Sequence, residues 1–415
     1  MSEKSPHVLV AGGGIAGLTA ALALLRRGID VDVYEQASEL REVGAGLQLA
    51  PNGTQLLIDL GLRERLQDVA CEAARKEVRL WNTGQTWKLF DLGKDCIERF
   101  GAPYWTVHRG DFHTVLRDAV LALKPNAIHL NRQVEGFTQD GTDAVLHFAN
   151  GHADARGNAI IAADGVHSRL RAAAGVTAKT FFTGIMAWRG LVPAERVSPE
   201  SRTPVGTNWI GPGAHVITYP VRRGELYNFV GVVEGRDWPV ESWTESGTHE
   251  ECLADFKGWH PAVQEMIHGL GVPFKWAFVG REPLSQWAFG RLCLIGDACH
   301  PTLPFLAQGA NMGIEDAVVI ARCIAANPAD IEAAFRRFED LRIERTTKIV
   351  RGSTETAKRF HNPILSDHDK AVAYITQEWE PDRVRTRYDW LFEYDALSVD
   401  VAPQRGAKAA GARSA

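Results

Sequence analysis

HVLVAGGGIAGLTAALALLRRGIDVDVYE, residues 7–35, decides the fold. It opens as an apolar strand from His7 to Ala11, turns on glycines, runs into an Ala- and Leu-rich helix that breaks at Gly28, and closes as a strand from Asp30 to Glu35. That order is a βαβ unit. Its glycines fall as Gly12-x-Gly14-x-x-Gly17, a spacing that turns the backbone sharply, lets it approach a pyrophosphate and packs helix against strand. The free N–H groups and positive dipole end of the helix point at the phosphates. Glu35, closing the second strand, is placed to accept hydrogen bonds from ribose hydroxyls. The stretch predicts a dinucleotide-binding Rossmann-type domain at the head of the chain.

Outward from that stretch, the 415 residues allow two or three domains and a large core. A net charge of −5 argues against a nucleic-acid partner. The six cysteines (Cys71, Cys96, Cys252, Cys293, Cys299, Cys323) contain no CxxC pair and no zinc-like spacing with histidine. They read as reduced thiols of a cytoplasmic protein without a metal. The N-terminal apolar run is broken by glycines, so it is not a secretory signal, and no run of about 18 apolar residues predicts a membrane span.

Composition shifts divide the chain into alternating segments. Residues 1–75 and 104–178 belong with the βαβ unit. Residues 76–103 hold a strand-like hairpin, EVRLWNTGQTWKLFDL, turning at Asn82-Thr83-Gly84. Residues 179–278 are β-rich and aromatic, 279–328 return to the first domain, 329–400 are helical in composition, and 401–415 form a tail rich in Ala and Gly, read as disordered. Several residues within these segments are candidates for chemistry. Arg41, in the glycine loop REVGAGLQ, could neutralise phosphate, although a plain loop explains it nearly as well. Asp164 follows a buried strand at an Asp-Gly turn, where it is either a ligand-binding carboxylate or an ordinary helix cap. Alternation puts His215, Ile217 and Tyr219 on one face of a strand, as a pocket pair or a packed polar–aromatic pair. Asp297 ends another buried strand, and Gln308 to Asn311 put free amides at a helix start, where they stabilise negative charge.

Three stretches together, GGGIAG with Glu35, ADGVHSRLR (163–171) and GDACHPTLPFLAQGANMGIEDA (296–317), resemble the fingerprints of the single-component flavoprotein aromatic hydroxylases, the group A flavin monooxygenases. Within that family EVGAGLQLAPNG, TVHRGDFH and HVITYPVRRGE are most similar to the hydroxylases of salicylate, 3-hydroxybenzoate and 6-hydroxynicotinate. The resemblance implies an α/β fold: a Rossmann-type, GR2-like FAD-binding domain with an inserted β-rich substrate domain and C-terminal helices. It implies FAD as cofactor, held by Gly12, Gly14, Ala16 and Gly17 at the pyrophosphate and Glu35 at the ribose. Arg109 would serve the phosphates or flavin, Val134 the adenine, and Asp297 the ribityl chain. Gly309, Ala310 and Asn311 would face the isoalloxazine, and Asp164 would serve both FAD and NAD(P)H.

The implied reaction is NAD(P)H- and O2-dependent hydroxylation of a hydroxylated aromatic acid through a flavin C4a-hydroperoxide, with NADH or NADPH as co-substrate. His215 would be the base toward the ring hydroxyl and Tyr219 its hydrogen-bond relay. Tyr104, Arg189 and, more loosely, Arg79 are candidates for the substrate carboxylate, and Pro304 would sit at the hydroxylation site. The 3-hydroxybenzoate enzymes of the family carry glutamine in place of Pro304, which points away from that one substrate. Oxygenation of another ring, such as a hydroxynicotinate, quinolone or urate, stays open, as does a non-catalytic carrier using the same βαβ opening. The expected partners are the small aromatic acid and O2, with no nucleic acid or membrane, in a monomer or homodimer.

Overall fold

The computed structural model describes residues 5–40, 45–177, 181–235 and 244–402; Arg41 and residues 403–415 of the tail lie outside the described residues. Strand β1 (His7–Ala11), helix α1 (Ile15–Leu25) and strand β2 (Asp30–Tyr34) form the βαβ unit. β1 pairs in parallel with β2 on one side and with Ala159–Ala162 on the other, and Leu292–Leu294 lies parallel beyond that. Ile128–His129 beside β2 and the antiparallel Ala288–Phe289 complete a six-stranded sheet. Its central strands are buried on both faces, which is why they read as unbroken apolar runs rather than alternating ones.

α1 packs on the helix Gly309–Ala326. The contact is close because glycines oppose Ala16: a Cβ on Gly313 would stand 3.2 Å, and one on Gly296 3.1 Å, from the Ala16 methyl. The glycine turn and the Gly296 loop are thereby held together at the C-terminal ends of the parallel strands, where open α/β sheets bind ligands.

A second sheet has eight strands, in the order Thr244–Ser246, Phe274–Gly280, Phe181–Pro193, Leu226–Glu234, Ala214–Val221, Val205–Gly211, Arg75–Leu80 and Thr86–Asp91. The hairpin at 75–91 enters it through a parallel pairing with Val205–Gly211. The outer face packs Trp188, Trp209, Phe229 and Phe256 under the helices His249–Asp255 and Pro261–Gly269. The inner face, in register across the strands, carries Lys76, Ile210, His215, Tyr219, Asn228 and Arg189.

The glycine stretch after Arg41 holds a strand where a ligand-facing loop was expected. Gly46–Leu49 pairs antiparallel with Trp105–His108, and the helix Pro51–Asp59 follows. Gly46 serves a close approach to protein: a Cβ there would stand 2.5 Å from Tyr219 Cε2 and 2.8 Å from the Asn228 side chain.

Three C-terminal helices close the molecule: Ile331–Phe360, His368–Glu378 and Pro381–Phe392. The first buries Phe335, Phe338, Arg342, Thr346, Ile349, Ser353 and Phe360 along one stripe at helical spacing. The last packs Val384, Tyr388, Leu391 and Phe392 with Leu89, Leu92, Cys96 and Tyr104. All six cysteines are buried free thiols. Among the described residues no helix is long and apolar enough to cross a membrane.

Candidate active site

The glycine turn is built by exclusion. Gly12 has φ +106°, and a Cβ there would stand 2.3 Å from the Ala163 carbonyl oxygen; one on Gly17 would stand 2.0 Å from that of Gly12. Neither position admits a side chain. At Gly14 a Cβ would meet nothing within 4 Å, so the start of α1 opens onto free space. The Glu35 carboxylate borders that opening, accepting hydrogen bonds from the amides of Gly13 (2.7 Å) and Ala37 (2.9 Å). His113, on the helix Arg109–Leu123, holds the turn from behind, its Nε2 2.7 Å from the Gly13 carbonyl oxygen. Val134 pairs with Phe148, whose ring lies 5.0 Å from that of Tyr34, the residue before Glu35. A ribose and a pyrophosphate fit such a rim.

Asp164 acts on its helix start and keeps one oxygen unengaged. Its Oδ2 accepts from the Leu170 amide at 3.2 Å, at the start of the helix Arg169–Ala173, while its buried Oδ1 has no partner. Burial raises its pKa. Arg171 ties this loop to the next, donating from Nη1 to the Ala298 carbonyl (2.7 Å) and from Nη2 to that of Val166 (3.0 Å), which also accepts from Arg281 Nη2 (3.0 Å).

The Gly296 loop is held from below by Asp316. One carboxylate oxygen accepts from the Gly296 amide (2.9 Å) and lies 2.5 Å from His300 Nε2; the other accepts from Arg342 Nε at 2.8 Å. Burial works to raise the Asp316 carboxyl, but His300 and Arg342 outweigh it and hold the group at about 2. Glu315 beside it meets Asn52 Nδ2 (2.6 Å), Arg342 (2.6 Å) and Arg345 (2.7 Å). Cys299, His300 and Asp316 are close enough for a metal cluster, yet the aspartate oxygens are taken up by Gly296, His300 and Arg342, so the group fits a buried ion-pair network better. Neither His113 nor this network was anticipated; each joins segments far apart in the chain.

Asp297 stands exposed at the strand end. The Asn311 side chain is engaged, its Oδ1 by the Ala50 amide (3.0 Å) and its Nδ2 by the carbonyls of Gln48 (3.1 Å) and Ala307 (2.8 Å). What Gly309, Ala310 and Asn311 offer a ligand is therefore main-chain N–H, the first-turn donors without an intrahelical acceptor. The Ala16 methyl is likewise taken up in helix packing, leaving its backbone.

On the inner face of the large sheet His215 is fully buried. Its Nδ1 lies 2.5 Å from His361 Nε2, and His361 Nδ1 lies 2.6 Å from Glu234 Oε1, on a carboxylate 42% exposed. The His215 Nε2 is buried without a partner. Phe305 and Phe360 pack edge-on at 5.3 and 5.2 Å. Burial, and then His361, push the His215 pKa well below its ordinary value, so the ring is neutral at neutral pH. The hydrogen-bonding neighbour of His215 is thus His361, at the end of a C-terminal helix, rather than Tyr219.

Tyr219 shares the face but stands about 13 Å further along the strand. It engages Gln48, which also accepts the Tyr104 O–H at 2.7 Å; burial raises both phenols. The Arg189 guanidinium lies over Trp276 at 5.0 Å and interacts electrostatically with Tyr219 and Arg109, which in turn acts on Asp297. Arg189 and Tyr219 on the large sheet are thereby linked to Arg109 and Asp297 of the first domain. Pro304 is exposed and opens the turn Pro304–Leu306, whose Phe305 meets His215. Arg79 is turned away: it sits on the outer face, 2.6 Å from buried Glu77.

The family profile described as an FAD binding domain matches residues 5–340. A 3-amino-4-hydroxybenzoate 2-monooxygenase of Streptomyces platensis is 37% identical over 404 residues, covering 96% of this chain and 98% of that one. A 6-hydroxynicotinate 3-monooxygenase of Bordetella bronchiseptica is 33% identical over 411 residues, covering 98% and 100%. The crystal structure of Klebsiella pneumoniae HpxO with FAD and uric acid matches with a TM-score of 0.80 at 28% identity, over 93% of this chain and 97% of that one.

Proposed function

Because the chain belongs to the FAD binding domain family and is a flavoprotein aromatic monooxygenase, we propose that it uses NAD(P)H and O2 to hydroxylate the ring of a hydroxybenzoate-like acid, amino-hydroxybenzoates included, as a cytoplasmic monomer or homodimer. The non-catalytic carrier falls away, since relatives along the whole chain are monooxygenases.

The site fits FAD. There is open space at Gly14, a partnerless oxygen on Asp164, and a row of main-chain donors at Gly309–Asn311. Gly12, Gly14, Ala16 and Gly17 would hold the pyrophosphate, Glu35 the ribose, Val134 the adenine, Asp297 the ribityl chain and Arg109 the phosphates or flavin. The amides of Gly309 to Asn311 would face the ring's anionic edge, and Asp164 would serve FAD and NAD(P)H alike. Bound FAD supplies electron transfer and oxygen activation.

The observation that carries the reading is the partnerless Nε2 of a neutral, buried His215 with a hydrogen-bonded exit behind it. A ring hydroxyl must lose its proton for the ring to become nucleophilic. That proton would pass to His215 Nε2, from His215 Nδ1 to His361 Nε2, and from His361 Nδ1 to Glu234 at the surface. Each imidazole gives up one proton as it takes another, so neither becomes a lasting buried cation. Reversal of the path as the product hydroxyl re-forms restores both tautomers.

The test is NADH and NADPH oxidation by the purified protein with a panel of hydroxybenzoates, amino-hydroxybenzoates, hydroxynicotinates and urate, recording product and hydrogen peroxide together. Substrate-stimulated oxidation coupled to a hydroxylated acid is the expected result. Stimulation by no aromatic acid would sink the assignment. A second reading, oxygenation of a ring such as urate, is favoured by the match to the uric acid complex, and the same panel decides it.

A further inference from the structure

Among the described residues, the two cations on the inner face of the eight-stranded sheet, Lys76 and Arg189, have no carboxylate partner. Along Arg75–Leu80, Glu77 turns outward to Arg75, Arg79 and Thr207, and Lys76 turns inward. Among the described residues Lys76 meets no carboxylate; its ammonium rests over the Tyr104 ring, 4.9 Å from the centroid. Its stem lies across Gly206, its partner in the next strand: a Cβ on Gly206 would stand 3.4 Å from Lys76 Cγ and 3.7 Å from its Cε. The missing side chain lets the lysine lean toward the strand beyond. There Thr207 faces Thr218, which sets Gly206 level with Tyr219. Tyr104 donates to Gln48, which Tyr219 also engages. An ammonium, an amide and two tyrosine hydroxyls therefore gather at one end of the face, and His215 stands about 13 Å of strand away. That span takes one aromatic ring with a hydrogen bond at each end.

We propose that Lys76, with Tyr104 and Tyr219, binds the carboxylate of the substrate and so presents its ring hydroxyl to His215. Lys76 is half-buried; a cation partly withdrawn from water without a counter-charge is destabilised, and an arriving carboxylate relieves it. Burial lowers Lys76 to about 7, as expected of a charge with no partner. Arg189, the other inward cation, leans the opposite way over Trp276. The inference rests on the reading that the substrate is an aromatic acid.

The experiment pairs each acid of the panel with its carboxylate-free phenol, beginning with 3-amino-4-hydroxybenzoate and 2-aminophenol. Binding is followed by flavin absorbance, and turnover by NAD(P)H oxidation, in the wild-type holoenzyme and in Lys76→Met and Lys76→Arg. Lys76→Met should weaken the acid by about 10–100-fold in Kd and KM, the size of a charge-assisted contact, and move the phenol by less than about twofold. Lys76→Arg should keep most of the acid's affinity. Should Lys76→Met fail to retain FAD, Lys76→Gln is read on the same pair. Unchanged affinity for the acid, or an equal loss for acid and phenol, overturns the proposal while the wild type still turns over the acid. A wild type that binds and turns over no aromatic acid overturns the functional reading itself, and the proposal with it.

Discussion

A methyl group added at Gly17 would lie 2.0 Å from the Gly12 carbonyl oxygen, whereas one at Gly14 would meet nothing within 4 Å. Gly17→Ala should therefore lower the thermal midpoint of the protein even without FAD. Gly14→Ala should leave stability unchanged or raise it by up to about 1 kcal/mol through a stiffer unfolded chain, and instead speed the loss of FAD on dialysis, read by absorbance. At the proposed base, His215→Gln should cost about 10²–10⁴ in kcat, measured at saturating acid. Because the folded pKa of His215 lies below its unfolded value, its neutral burial favours folding above about pH 6.5 and turns against it as pH falls below that value. Urea midpoints at stepped pH should show that loss in the wild type and less of it in His215→Gln. The glycine turn and Glu35 were legible because their meaning is local: a turn, a helix start and a strand end. His361 was not, since it meets His215 across a separation of 146 residues.

The helix Ile331–Phe360 was legible in its composition, which does not say where each of its charges goes. Arg342 is fully buried, because Glu315 and Asp316 on the helix Gly309–Ala326 meet it inside the core. Nothing in the spacing of a single helix announces a partner on another. Arg342→Met leaves two buried carboxylates without their shared cation and should cost about 3–5 kcal/mol in chemical denaturation. It should also loosen FAD, since the carboxylate that Arg342 orients holds the Gly296 amide. The depressed carboxyl of Asp316 adds stability above its unfolded value, and that stability is lost as pH falls from about 4 toward 2. An acid titration of the wild type followed by tryptophan fluorescence checks it.

At the scale of the whole molecule, the general architecture was readable from fingerprints and composition, while the strand order of the large sheet was not. Arg75–Leu80 reaches over more than a hundred residues to pair with Val205–Gly211, and a register of that kind is set by which faces must be buried, not by local propensity. The C-terminal helices complete the core beneath the hairpin, so Leu391→Ala, remote from any chemistry, should cost about 2–5 kcal/mol. Saturating FAD at about 100 times its Kd should add about 2.7 kcal/mol to the wild type, measured as a shift in thermal midpoint. His361 also bears on biosynthesis. During translation, at about 5–20 residues per second with N-terminal units folding first, every segment of the glycine turn and both carboxylate loops leaves the ribosome before it does. On the proposed reading, a nascent or prematurely terminated chain ending short of residue 361 would have the residues that hold flavin but not those that move the substrate's proton. On that reading, the hydrogen-bonded exit from His215 is thus completed only after the residues proposed to hold the cofactor have emerged.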